Sequence, residues 1–240
     1  MNWLEPEWPL PANVRAAATL RHGGVGAGAY ASFNLAAHVN DNPEHVRENR
    51  ALLKNRLDLP AEPVWLRQVH GIAAVDAAVA MEPEADASYA AQAGVVCVVL
   101  TADCLPVLFC GDGGRVVAAA HAGWRGLAAG VLRETAAAMR CARISAWLGP
   151  AIGPERFMVG ADVYLAFTQA NPQAAAAFRA VSATHWLADI YHLARLDLAA
   201  AGVGEVYGGG FCTVSEAERF FSYRRDAGVT GRMASLIWRS

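Results

Sequence analysis

The stretch Val95–Gly126, VVCVVLTADCLPVLFCGDGGRVVAAAHAGWRG, constrains this chain more than any other. Runs so apolar, rich in valine and broken by a glycine turn, read as buried strands rather than surface helices. The pattern predicts two strands joined at Gly111-Asp112-Gly113-Gly114. Cys104 closes the first apolar run, and Arg115–Ala120 runs back to His121, where a helix begins. Cys104 and His121 stand seventeen residues apart, a separation suited to neighbouring strands. His70, in Trp65-Leu66-Arg67-Gln68-Val69-His70-Gly71, ends another short apolar run. A thiolate and two imidazoles at strand ends compose a three-ligand site with one open position, the pattern of a catalytic zinc site. A trigonal copper site draws on the same ligands. The competing reading makes Cys104 a small buried hydrophobe, the common fate of a free cysteine. That reading is kept for Cys97, Cys110, Cys141 and Cys212. Cys104 differs because Thr101 and Asp103 break the apolar run beside it and two strand-end histidines accompany it.

At 240 residues and 55% hydrophobic, the chain is large enough for a sizeable core. Its net charge is −2 and it has no run of Lys and Arg, so nothing points to a nucleic-acid partner or an acidic lipid surface. No apolar run reaches membrane-spanning length. The first residues, MNWLEPEWPLP, are acidic and broken by proline, unlike a secretory signal. Five cysteines with no C-x-x-C pair fit a reduced compartment. The expectation is a cytoplasmic enzyme or binding protein, as a monomer or homodimer.

Val14–Leu20 reads as a strand. The following Gly23–Gly28 cluster lacks G-x-G-x-x-G spacing and a helical stripe after it, so it reads as a loop rather than a phosphate cradle. Asn34, in an apolar setting, reads as a loop tie. Asn42 and Pro43 open a helix with Val46, Leu53 and Leu57 buried. Val64–Val69 is predicted as a strand, Ile72–Val79 as a second apolar stretch, and Glu82–Asp86 as an acidic loop. Helices are expected at Leu127–Arg140, Ala161–Ala170, Gln173–Val181 and Leu187–Ala201, the last ended by Gly202. Strands are expected at Ala146–Ile152, Glu205–Cys212, Arg219–Arg225 and Met233–Trp238. Uneven alternation of strands and helices predicts one α+β domain spanning residues 1–240, with mixed sheets rather than a doubly wound parallel one.

Arg125 follows His121 at a helix start and can clamp a phosphate or carboxylate through two donors, or pair with a surface acid. Trp124 can stack on a base or pack in the core. Gln68, Asp86 and Arg224 are candidate cavity residues. On a regular strand Asp103 points to the opposite face from Cys104, so it reads as a group supporting the ligand from behind or as a structural one rather than a co-ligand. The remaining histidines, 22, 38, 45, 185 and 192, are given no role.

WLRQVHG, TADCLPVLF, HAGWRG, WLGPAIGP, GGGFCT and FFSYRRD with TGRMASLIW resemble the laccase-domain proteins, also described as multicopper polyphenol oxidase-like or YfiH-like purine nucleoside phosphorylases. The similarity runs from Thr19 to Trp238. It implies one zinc ion held by His70, Cys104 and His121, and a fold similar to cysteine-hydrolase-like α/β sandwiches. It also implies phosphorolysis of adenosine, inosine, guanosine and methylthioadenosine with phosphate, together with adenosine deamination. Zinc lowers the pKa of water it holds to about 7, which suits deamination. Catalytic roles then fall to Cys104, His121 and Arg125, with substrate contacts at Gln68, Trp124 and Arg224.

Two other readings compete. A multicopper oxidase needs many paired histidines, and this chain has seven histidines and no H-x-H unit. A metal-free hydrolase or amidase would use Cys104 as nucleophile and His121 as base, but such a pair needs one histidine and here two accompany the cysteine.

Overall fold

A computed structural model describes residues 3–80 and 83–240. Glu82, placed in the acidic loop by the sequence, lies outside the described residues. The N-terminal half forms β1 (Trp3–Leu4), β2 (Val14–Thr19), α1 (Pro43–Arg56), β3 (Ala74–Asp76), β4 (Ala87–Ala90), β5 (Val96–Thr101), β6 (Leu105–Gly111) and β7 (Val116–Ala122). Next come α2 (Trp124–Ala129), α3 (Val131–Met139), β8 (Ile144–Leu148), β9 (Met158–Gly160) and α4 (Ala161–Thr168). The remainder is β10 (Phe178–Ala180), β11 (His185–Ala188), α5 (Ile190–Ala200), β12 (Glu205–Gly208) and β13 (Met233–Arg239).

Three sheets result, ordered β12-β8-β6-β7-β4-β3, β1-β2-β13-β5 and β10-β11-β9. The six-stranded sheet is mixed: β12 pairs parallel with β8 and β3 with β4, while the ladders between are antiparallel. Strand alternation builds the layers. Leu105, Val107 and Phe109 of β6 pack with Leu127, Leu132 and Leu198 of the helices, while Leu108 and Cys110 face Cys97, Val99 and Ile237 of the four-stranded sheet. The outer face of that second sheet, Val96, Val98, Leu100 and Leu236, is covered by Phe33, Leu35 and Leu53. The layer order is therefore helix, sheet, sheet, helix, an α+β sandwich in one domain.

Several elements follow their local signals. Asn42 caps α1 by accepting the Glu44 N–H at 2.9 Å. Asn34 is fully buried and ties its loop to Ala36 and Arg232. Others differ from the sequence expectation. The central stretch holds three strands, not two: β5 joins one sheet and β6 and β7 the other, so the chain crosses between sheets at Ala102-Asp103-Cys104. Val64–Val69 makes only isolated bridges at Val64 and Arg67. The helix expected over Leu127–Arg140 breaks into α2 and α3 at Gly130, whose φ of 104° ends one helix where the next begins. Leu187 lies in β11, so α5 starts later than its apolar rhythm implied. The predicted helix Gln173–Val181 is a 3-10 turn at Pro172–Ala177 followed by β10. Arg219–Arg225 is a series of turns rather than a strand. There the Arg225 guanidinium binds Thr213 O, Phe220 O and the adjacent Asp226 carboxylate, which holds the segment folded on itself.

Candidate active site

His70, Cys104 and His121 reach the same point from three separate segments. The His121 backbone lies on β7, opposite Pro106 of β6. Cys104 occupies the crossing between the two sheets. His70 lies on the loop before β3. Their ligating atoms all fall within 4.8 Å of one another, and Cys104 Sγ is 3.9 Å from His70 Nε2. The two imidazole rings meet edge to face with centroids 4.8 Å apart.

The backbone at two of these segments is held in left-handed conformations that non-glycine residues seldom adopt. His70 has φ 62°, and Asp103, before Cys104, has φ 86°. Both are fixed by buried carboxylates. Asp86 accepts the backbone N–H groups of Val69 (3.2 Å), His70 (2.9 Å) and Gly71 (2.6 Å), so its loop wraps the carboxylate as a nest. Asp103 accepts Thr213 Oγ1 and the Arg224 N–H, both at 2.6 Å, and its carbonyl takes the Ile152 N–H at 2.9 Å. The structural reading of Asp103 describes this arrangement.

Asp86 does more than shape a loop. Fully buried, it also accepts a hydrogen bond from His121 Nδ1 at 2.8 Å. That bond fixes the proton on Nδ1 and leaves Nε2 with its lone pair for the cluster. The sequence suggests a cavity-lining Asp86; the structure puts it behind His121 instead. A usable signal was present. A lone carboxylate between Ala85 and the buried residues Ala87 and Ser88 is costly unless it is fully hydrogen-bonded.

Burial pushes the Cys104 thiol up, but the His121 charge and hydrogen bonds from His121 and His70 outweigh it and bring the thiol down to about 6. Burial pulls His121 down, while the Cys104 and Asp86 charges and their hydrogen bonds raise it to about 9. The two opposed shifts favour moving the thiol proton toward the imidazole, which brings Cys104 more readily to its ionised, metal-binding form.

The donor set fits a single soft or borderline divalent ion: one thiolate and two imidazoles with room for a fourth ligand. Gly123 supplies the space. A Cβ there would come within 2.8 Å of His70 Cδ2 and 3.1 Å of Cys104 Sγ, so any larger residue would intrude on the cluster. Among the described residues this is the one group of three or more His, Cys, Asp or Glu side chains placed to hold a metal ion. Among the described residues no second group of such side chains is present to build a multinuclear copper cluster.

The cluster lines a cavity of about 490 Å3. Gln68, Trp124, Arg125 and Arg224 line the same cavity, so the sequence candidates converge. Their side chains are differently employed. The Gln68 amide exchanges two 2.8 Å hydrogen bonds with the Leu100 backbone, which locks the His70 loop to β5. Arg125 lies over the Trp124 ring, 4.4 Å from its centroid. Arg224 donates to Met158 O at 3.1 Å. His38, Tyr223 and Arg232 also line the cavity; Tyr223 and Arg232 lie within FFSYRRD and TGRMASLIW, but nothing local in those runs marks either side chain as a cavity residue. Helix α2, which carries Trp124 and Arg125, has only six residues, so its dipole adds little to the arginine charge.

Fold and site together define a class: single-domain α+β sandwiches that set a His-Cys-His cluster in a cavity between two sheets and their loops. Residues 15–240 match the family described as multi-copper polyphenol oxidoreductase laccase, and the chain belongs to that family. It is 52% identical to a purine nucleoside phosphorylase of Pseudomonas aeruginosa over 98% of both chains. It is 53% identical to the Escherichia coli purine nucleoside phosphorylase YfiH, again over 98% of each. The crystal structure of the Neisseria meningitidis protein NMB0706 superposes with a TM-score of 0.96 at 53% identity, covering 100% of both chains. That of YlmD from Geobacillus stearothermophilus gives 0.93 at 33% identity, covering 100% of this chain and 96% of the other.

Proposed function

We propose that this protein is a zinc-dependent purine nucleoside phosphorylase. In this reading it converts adenosine, inosine, guanosine or methylthioadenosine and phosphate to the free base and the ribose 1-phosphate, and it also deaminates adenosine. One observation carries it. A single cavity joins the His70–Cys104–His121 cluster to Arg125, Arg224 and Arg232, none of which pairs with a carboxylate among the described residues. A cavity of about 490 Å3 also suits a small molecule. The names borne by the relatives support the phosphorylase part of this reading.

In phosphorolysis a phosphate oxygen bonds to ribose C1′ as the C1′–N9 bond breaks. The electron pair leaves with the purine, and the proton carried by hydrogen phosphate ends on the base. The arginines lower the cost of bringing the dianion out of water. Trp124, Phe157 and Tyr223 line the cavity and are the aromatic candidates for contact with the base. Asp86 keeps the His121 proton on Nδ1 and so orients Nε2 toward the cluster. Zinc, when bound, supplies Lewis acidity and lowers the pKa of a water molecule, which is what adenosine deamination requires. In that reaction water replaces the C6 amine and ammonia leaves.

The test is adenosine supplied with and without phosphate, with products separated chromatographically. Adenine and ribose 1-phosphate should form only with phosphate, and inosine should form without it. No base release at any phosphate concentration sinks the phosphorylase reading.

A second reading has its own support. Asp86, His121 and Cys104 form an acid–imidazole–thiolate chain, the geometry of a cysteine hydrolase. Chelation separates the two, since a thiol hydrolase survives chelator and dies on alkylation.

A further inference from the structure

Arg232 differs from the other two cavity arginines. Arg125 and Arg224 are exposed, whereas Arg232 is partly buried and tied at both ends of the residue. Its backbone N–H donates to Asn34 Oδ1 at 2.9 Å, and its Nη1 donates to Thr230 O at 2.8 Å and Gly231 O at 3.0 Å. Its guanidinium lies 5.5 Å from the Tyr223 ring centroid. Among the described residues no carboxylate forms an ion pair with it. Asp103 is near enough to attract it, but both Asp103 oxygens are already taken by Thr213 and the Arg224 N–H. Burial works against the Arg232 charge, and the pull of the Cys104 thiolate is the largest effect that favours it.

A half-buried guanidinium without a hydrogen-bonded carboxylate is costly, and its charge acts strongly because water screens it little. Its rotamer freedom is already lost on folding, so binding an anion need not remove it again. The three donors on Nε and Nη2 are not spent on the two carbonyls. A tetrahedral oxyanion matches such a fork through two parallel hydrogen bonds.

We infer that Arg232 is the residue that seats inorganic phosphate beside the His70–Cys104–His121 cluster, with the exposed Arg125 in a lesser, steering role. The inference rests on the phosphorylase reading for its substrate, although the oxyanion site itself follows from Arg232 alone. Phosphate seated there would be held by a fixed cation, while the nucleoside occupies the rest of the cavity.

The experiment uses the metal-loaded protein and the variants Arg232→Gln and Arg232→Lys. Phosphate affinity is read directly by calorimetry with inorganic phosphate, and turnover is read separately with adenosine. Loss of charge-assisted hydrogen bonds predicts a roughly ten- to hundredfold rise in phosphate KM and Kd for Arg232→Gln. The lysine variant keeps the charge without the fork and should fall between. Adenosine KM should change less than about twofold if Arg232 touches phosphate only. Metal content equal to wild type reports that fold and cluster are intact. The inference is overturned if both variants keep wild-type phosphate KM and Kd. It is also overturned if adenosine monophosphate binding, and not inorganic phosphate binding, depends on Arg232, because the anion would then belong to a nucleotide. Arg232-dependent phosphate binding without nucleoside turnover would remove the phosphorylase reading and leave the oxyanion site standing.

Discussion

Replacing Asp86 with asparagine should weaken both the fold and the metal site, and the hydrogen bonds allow the size to be worked out. The carboxylate accepts four bonds, His70 N and His121 Nδ1 on Oδ1, and Val69 N and Gly71 N on Oδ2. An amide offers one oxygen. With its NH2 on the loop side it strands Val69 N and Gly71 N; turned the other way it strands His70 N alone, because His121 can change tautomer. Each stranded donor costs about 1–3 kcal/mol, so the loss is about 1–6 kcal/mol. If the amide presents NH2 to His121, Nδ1 must become the acceptor and the proton moves to Nε2, the nitrogen needed for the metal. Loss of such a supporting carboxylate typically costs 10- to 100-fold in metal affinity, about 1.4–2.8 kcal/mol. Urea denaturation gives the first quantity and competition with a chromogenic chelator the second. A variant that loses less than about 1 kcal/mol and binds metal within about twofold of wild type would refute the reasoning.

Gly123 has φ −66°, open to any residue, so Gly123→Ala should fold normally while its methyl crowds His70 and Cys104. Metal content should drop with little change in thermal midpoint. In the metal-free protein, Cys104 should be alkylated rapidly well below the pH an ordinary thiol needs. The rate should fall as pH drops through about 6, where the thiolate takes up a proton. Asp86→Asn removes a charge that holds His121 cationic and should shift that profile upward. Arg125→Ala should raise the phosphate requirement while sparing deamination; equal loss of both activities would defeat its assignment to phosphate.

Much of this architecture is readable without coordinates, and the exceptions have physical causes. Asn42-Pro43 announces α1 because capping chemistry is local, and Met233–Trp238 announces β13 because both of its faces are buried. The ligands stand out because each is a metal-binding side chain at the edge of an apolar run. What local pattern cannot show is which sheet a strand joins. Val95–Cys104 and Leu105–Gly111 look like one continuing run, yet they lie in different layers, parted at Asp103, whose two long-range hydrogen bonds come from Thr213 and Arg224. Arg219–Arg225 carries strand-forming aromatics, but the ties made by Arg225 override that propensity. The role of Asp86 behind His121, and Arg232 as a functional group, escape the sequence for a related reason. Their importance lies in partners far away in sequence: His121 for one, and the cavity shared with Cys104 for the other.

The most direct test is metal stoichiometry by native mass spectrometry on wild type and Cys104→Ala. One zinc ion per wild-type chain, and none in the variant, is the predicted result. A wild-type chain free of metal that still cleaves nucleosides, or a Cys104→Ala chain that keeps its zinc, would contradict the claim that these three side chains share one ion.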